Sequence, residues 1–183
     1  MMESIETISA GTCGLSSIAI TPRLRYSLSI IDEVVETVES ELQEIHSTNE
    51  NFEVYSEETI LQSLEIQKSL FLVCLSLLEL KKRVQTIQGV RAVPITLLFS
   101  VPMTRYLSSA IFDINPSCSQ KLSELSISLG SLIMDSAIIV GASFDLKAAT
   151  KQSSEFIDEV KLMVNSKINK LYPNLEIKKP DHA

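Results

Sequence analysis

Residues 21–46 read TPRLRYSLSIIDEVVETVESELQEIH, and the spacing of their aliphatic residues decides the fold class. Leu24, Leu28, Ile31, Val35, Val38, Leu42 and Ile45 recur at intervals of 4, 3, 4, 3, 4 and 3. An α-helix turns once in about 3.6 residues, so these side chains fall along one edge of it. The alternation of fours and threes is that of a coiled-coil seam. Thr21-Pro22 predicts the start, with Thr as N-cap and Pro at the first helical position, where its missing N–H costs nothing. The polar run from His46 to Asn51 predicts the end.

A second long helix is expected from Ser56, whose successors Glu57 and Glu58 suit the positive end of a helix dipole. It runs towards Gly89, a candidate C-cap. Two apolar stripes overlap on it, Ile60, Leu64, Phe71, Cys74, Leu78 and Leu70, Val73, Leu77, Leu80, Val84, Ile87. A helix apolar on two faces packs against more than one partner. At 1.5 Å per residue the two helices span about 39 and about 48 Å. The short polar connection makes them an antiparallel hairpin.

Beyond it, Pro94 and Pro102 predict a short helix or kink and then a helix over about 103–112. Asn115-Pro116 breaks the chain. Cys118, Leu122, Leu125, Leu129 and Leu132 form another 4, 3, 4, 3 seam, Gly141-Ala142-Ser143 is a linker, and a last helix covers about 147–171. The expected fold is all-α: a long antiparallel hairpin of the first two helices with three shorter helices packed against it. The expected divisions are a flexible arm over 1–20, a helical core over 21–146, a C-terminal helix over 147–172 and a flexible tail over 173–183.

Composition agrees with this class. The chain has 183 residues, 45% apolar but only 5% aromatic, with no Trp, five Gly and six Pro. Aliphatic seams with few turn residues fit helices better than a β-sandwich. The net charge of −7 argues against nucleic acid, which needs clustered Lys and Arg. Cys13, Cys74 and Cys118 are scattered and odd in number, which reads as free thiols in a reducing compartment. Neither a basic n-region nor a continuous h-region opens the chain, so a cytoplasmic protein is expected. The apolar run near Leu70–Leu80 is too short to span a bilayer, and that over 127–146 is interrupted by Asp135 and serines.

No phosphate-binding loop, HExxH, GxSxG or EF-hand motif occurs, and two histidines leave few acid–base or metal schemes. A non-enzymatic chain without cofactor or metal is expected. Charge is unevenly distributed: from Tyr26 to Gln67 there are eleven acidic residues and no Lys or Arg. This predicts an electrostatic contact of the acidic hairpin, through Glu36, Glu39 and Glu44, with Lys161, Lys167 and Lys170 of the last helix.

The run Leu80-Lys81-Lys82-Arg83-Val84-Gln85-Thr86-Ile87-Gln88-Gly89 resembles the end of the second helix in archaeal ESCRT-III-like cell-division (Cdv) proteins. About twenty-five residues on, Ile114-Asn115-Pro116 followed by Leu122, Leu125, Leu129, Leu132 and Ser136-Ala137 resembles that family's aliphatic-Pro element and Leu-repeat helix. Upstream, Thr21-Pro22 and the segment 55–68 sit where the two hairpin helices begin, so the resemblance covers about Thr21 to Val140. It implies a subunit that co-assembles with paralogues into membrane-remodelling filaments, in division, vesicle release or virus budding. It also implies disassembly by a partner AAA ATPase. Leu171, Pro173, Leu175, Ile177 and Pro180 are the tail candidate for recruiting that ATPase. The first helix is acidic after Arg25, where the family has a basic one, so an accessory subunit reaching the membrane through partners, peripherally and at the division site, is expected. The alternative is a soluble helical adaptor or regulator that binds partner helices without polymerising.

Overall fold

The computed structural model describes residues 14–48 and 55–173, with side chains from residue 21 onward. Among them are six helices and no strands: α1 (Gly14–Thr48), α2 (Glu57–Gln85), α3 (Ala92–Leu97), α4 (Ser100–Ile111), α5 (Pro116–Val140) and α6 (Leu146–Leu171). Three helix starts are fixed by side chains close at hand. Ser56 accepts from the Thr59 amide, Asn115 from the Cys118 amide, and Asp145 from those of Lys147 and Ala148. Such caps satisfy amides that a first turn leaves without partners. Pro116 occupies the first position of α5. Gly141 ends α5 in the left-handed region at φ 66°, donating to the Ala137 carbonyl.

Two boundaries differ from expectation. α1 starts at Gly14, not Thr21, so residues 14–20 of the expected arm are helical and Pro22 lies inside the helix. A proline there removes only the bond to the Ile18 carbonyl, and the seam from Leu24 onward holds the rest. α2 ends at Gln85, one turn short of Gly89. Thr86 and Ile87 turn back onto the carbonyls of Arg83 and Val84, and Ile87 enters the core. Gly89, at φ 112°, then serves the turn into α3.

Paired residues give the direction of each helix. Asp32 meets Lys81 and Glu39 meets Cys74, so α1 and α2 run antiparallel. Arg23 meets Asp135, Glu33 meets Lys121 and Glu41 meets Asn115, so α1 also runs antiparallel to α5. Phe99 stacks near Phe156 and Tyr106 lies beneath Lys161, which makes α4 and α6 parallel. The long elements therefore alternate up and down. α1 lies between α2 and α5, α6 packs on α2 and α4, and α4 closes against α5. α5 and α6, at 25 and 26 residues, approach the 29 of α2. The hairpin pair is thus one side of a bundle in which two of the later helices are nearly as long as α2.

The core is aliphatic. Leu24, Leu28, Ile31, Val35, Val38 and Leu42 are buried and Ile45 is partly buried, all as the spacing predicts. Ile30, Val34 and Ser27 are buried too, because α1 has a second flank against α5. Small residues let helices approach. Gly130 faces Val101, where an added Cβ would sit 3.9 Å from its side chain. Nearby, Ser108 Oγ lies 2.8–3.0 Å from the Ser119 carbonyl and from the Ser119 and Ser123 hydroxyls, and Ser119 Oγ donates to the Ser108 carbonyl at 2.8 Å. Buried hydroxyls must be paired to avoid a desolvation cost, and here they join α4 to α5.

Two substitutions test this packing. Ile31→Ala, at a fully buried position, is expected to cost about 2–5 kcal/mol in urea denaturation, and Ile45→Ala clearly less. Ser108→Ala removes the hydroxyl that bridges to Ser119 and Ser123 and is expected to cost about 0.5–1.5 kcal/mol, whereas Ser76→Ala, whose buried hydroxyl has no protein partner, should be neutral or stabilising.

Candidate functional site

The two ends and two outer faces of the bundle carry its chemistry. At the hairpin tip, α1 ends and α2 begins with Glu44, Glu57, Glu58 and Glu65 exposed. Leu61 and Ile66 are exposed among them, and a shallow groove runs over Ser56, Leu61, Gln62 and Ile66. The C-terminus of α6 arrives at the same tip. Tyr172 donates its hydroxyl to Gln67 Oε1 at 2.9 Å, and its ring lies 6.4 Å from that of His46.

Along α2, the last helix is held mainly by apolar contact. Phe156, Ile157, Val160, Val164 and Ile168 are buried on one side of α6. Arg83 supports this contact near the other end, its guanidinium 4.6 Å from the Phe99 ring centre and 5.2 Å from that of Phe156. Such cation–π contacts are worth about 0.5–2 kcal/mol. A groove between α2 and α6 exposes Leu75, Leu78 and Met163 beside Glu79, Lys82 and Glu159.

The expected electrostatic contact takes another form. Lys167 sits 5.0 Å above the Phe71 ring and Lys161 5.2 Å above that of Tyr106, whose hydrogen bond raises the lysine pKa. Glu36, Glu44 and Lys170 are exposed. Among the described residues no ion pair joins these three lysines to α1, because α6 packs on α2 and α4. The acids of α1 are met by its own flanking helices: Asp32 by Lys81 at 2.6 Å and Glu33 by Lys121. Arg23 adds Asp135 at 2.6 Å. These pairs are partly exposed, so each contributes about 0–1 kcal/mol. Sequence reading did not find them, because heptad spacing does not say which neighbour a charged flank will meet. Of the tail candidate, Leu171 and Pro173 are exposed, while Leu175, Ile177 and Pro180 lie outside the described residues.

Glu39 and Lys167 do share one neighbour. Burial first, then Glu39, whose Oε1 lies 3.8 Å from Sγ, push the Cys74 thiol up to about 11, with Lys167 opposing them. Burial likewise raises Cys118. No group of three or more His, Cys, Asp or Glu among the described residues is arranged to hold a metal ion. α2 and α5 are long and apolar enough to cross a membrane by length and composition, though both pack within the bundle. No protein-family profile, no curated protein and no solved structure matches the chain.

A thiol held near 11 stays protonated at neutral pH, and the thiolate is the reactive form. Iodoacetamide at pH 8 should therefore label Cys74 at least roughly a hundredfold more slowly in the native chain than in urea, with the native rate rising as pH increases. Peptide mapping by mass spectrometry reads both.

Proposed function

We propose that this chain is a non-enzymatic subunit of the ESCRT-III type, accessory in role, which co-assembles with related chains into membrane-remodelling filaments. The observation that supports this reading is the return of α6 along α2 to the hairpin tip. The return rests on one aliphatic stripe, the Lys167–Phe71 contact and the Tyr172–Gln67 hydrogen bond. A last helix attached in this way keeps the apolar flank of α2 covered while the subunit is alone, and can yield it to a neighbouring subunit. The resemblance over Thr21 to Val140 points the same way. The exposed end of α6 at Leu171 and Pro173 begins the segment that would meet a disassembling AAA ATPase.

The second reading, a soluble adaptor, is favoured by the groove at the start of α2. Its Leu61 and Ile66 among Glu57, Glu58 and Glu65 would suit one basic amphipathic helix.

Negative-stain electron microscopy of the purified chain, alone and mixed with related chains from the same source, separates the two. Filaments are the expected result. Monodisperse particles in every mixture would sink the polymer reading and leave the adaptor. A double variant, Lys167→Glu with Tyr172→Ala, should loosen α6, seen as faster hydrogen exchange over 160–171, and should lower the concentration at which filaments appear.

A further inference from the structure

α5 carries two seams, and the bundle covers one of them. Leu122, Leu125, Leu129 and Leu132 are buried on the side that packs against α1, α3 and α4. On the outer side Ile127 is 70% exposed, Met134 53% and Ile138 75%. With exposed Ser131 between them, these residues recur at intervals of 4, 3 and 4. This is again the alternation of a coiled-coil seam, and no described part of the chain covers it. The seam positions from Ile127 to Ile138 are uncharged. The charges nearest to them, Arg23 and Asp135, pair with each other at 2.6 Å, and Arg23 also donates to Ser131 Oγ at 2.7 Å. Glu124, one turn before Ile127, is exposed. Gly130, next to Ser131, adds no side chain and lies by half-buried Val101.

Large aliphatic side chains exposed in one row mark a contact surface. Charge narrows what can cover it. Nucleic acid and anionic lipid call for free cations and a basic helix calls for acids, and the seam offers neither. In a chain of net charge −7, an uncharged seam is where two identical molecules meet without repulsion. We propose that two copies of this chain pair through the outer seam of α5, with the two helices antiparallel about a two-fold axis beside residues 132–133. In this register Ile127 packs on Ile138 of the other copy. Met134 fills the space over Ser131 and Gly130 of the other copy, so a large side chain meets a small one at the centre. Glu124 lies opposite Gly141, the cap of α5. A parallel pair would instead leave a gap where Ser131 meets Ser131, and would set Glu124 against Glu124. The three side chains expose on the order of 400 Å² per copy, so the pair hides less than the roughly 1,200–2,000 Å² of a standard interface. It is therefore weak and separates on dilution. Such a two-fold contact closes with two copies and does not propagate. It goes beyond the filament reading and stands or falls separately from it.

Sedimentation equilibrium from micromolar to millimolar concentration reads the pair, and a monomer–dimer equilibrium is expected. Ile138→Glu should weaken it at least roughly tenfold at unchanged circular dichroism and urea midpoint, because the side chain is exposed in the single molecule. Leu162→Glu, at an aliphatic residue of α6 that is 71% exposed, is the control and should leave the pair intact. Disulfide capture reads the direction. In a Cys13→Ser background, with Cys74 and Cys118 buried, chains carrying Ile127→Cys or Ile138→Cys are oxidised separately and mixed. Cross-linking between unlike chains is expected, and little between like ones. Four results would each overturn the proposal: a monomer throughout the range, a pair that Ile138→Glu does not weaken, cross-linking mainly between like chains, or filaments that vanish with Ile138→Glu. A monomer that floats with phosphatidylcholine vesicles and loses this with Ile138→Glu would assign the seam to neutral lipid instead. Filaments that persist in Ile138→Glu belong to another contact, so the two readings fail separately.

Discussion

The structure depends on the enclosure of α1. One flank, carrying Leu24, Ile31 and Val38, and a second, carrying Ser27, Ile30 and Val34, both enter the core between α2 and α5. At about 1.5–3 kcal/mol for each buried aliphatic side chain, this enclosure outweighs the partly exposed ion pairs along its margins. Those pairs act mainly on register. Asp32 with Lys81 fixes α1 against α2, while Arg23 with Asp135 and Glu33 with Lys121 fix it against α5. A run of α1 carrying acids alone, which looks self-repelling as a sequence, is neutralised in part by lysines from both neighbours.

Much of this was legible in the residues. The heptad seam of α1 and the double stripe of α2 fell as their periods required. Ser56, Asn115-Pro116 and Gly141 marked ends because each supplies a local group, whether a side-chain oxygen, a fixed φ or freedom at positive φ, that needs no tertiary partner. The misreadings share the opposite property. Pro22 resembles a helix start until the weight of the downstream seam is known. The second flank of α1 was hidden because Ser27 is polar and Ile30 and Val34 lie off the heptad. The partner of α6 could not be read either. An aliphatic stripe fits any aliphatic groove, and only the assembled bundle puts Lys161 over Tyr106 and Lys167 over Phe71 instead of beside acids.

The same contrast separates the surfaces. The acidic hairpin could be seen in the sequence as a block. The grouping of exposed side chains at the opposite end could not, because Arg25, Lys82, Arg91, Ile138 and Leu146 come from five distant segments joined only by alternating helix direction.

The enclosure of α1 also has a kinetic consequence. The α1–α2 and α4–α5 pairs join chain neighbours, and such contacts form early because little loop entropy is lost. The contact of Arg23 with Asp135 spans 112 residues. It closes after the intervening helices have turned back and forth, so by sequence separation the second flank of α1 is among the late surfaces to leave water. Until then Ile30 and Val34 face solvent beside the open groove of α5. A chain in that state can exchange its first helix with another copy.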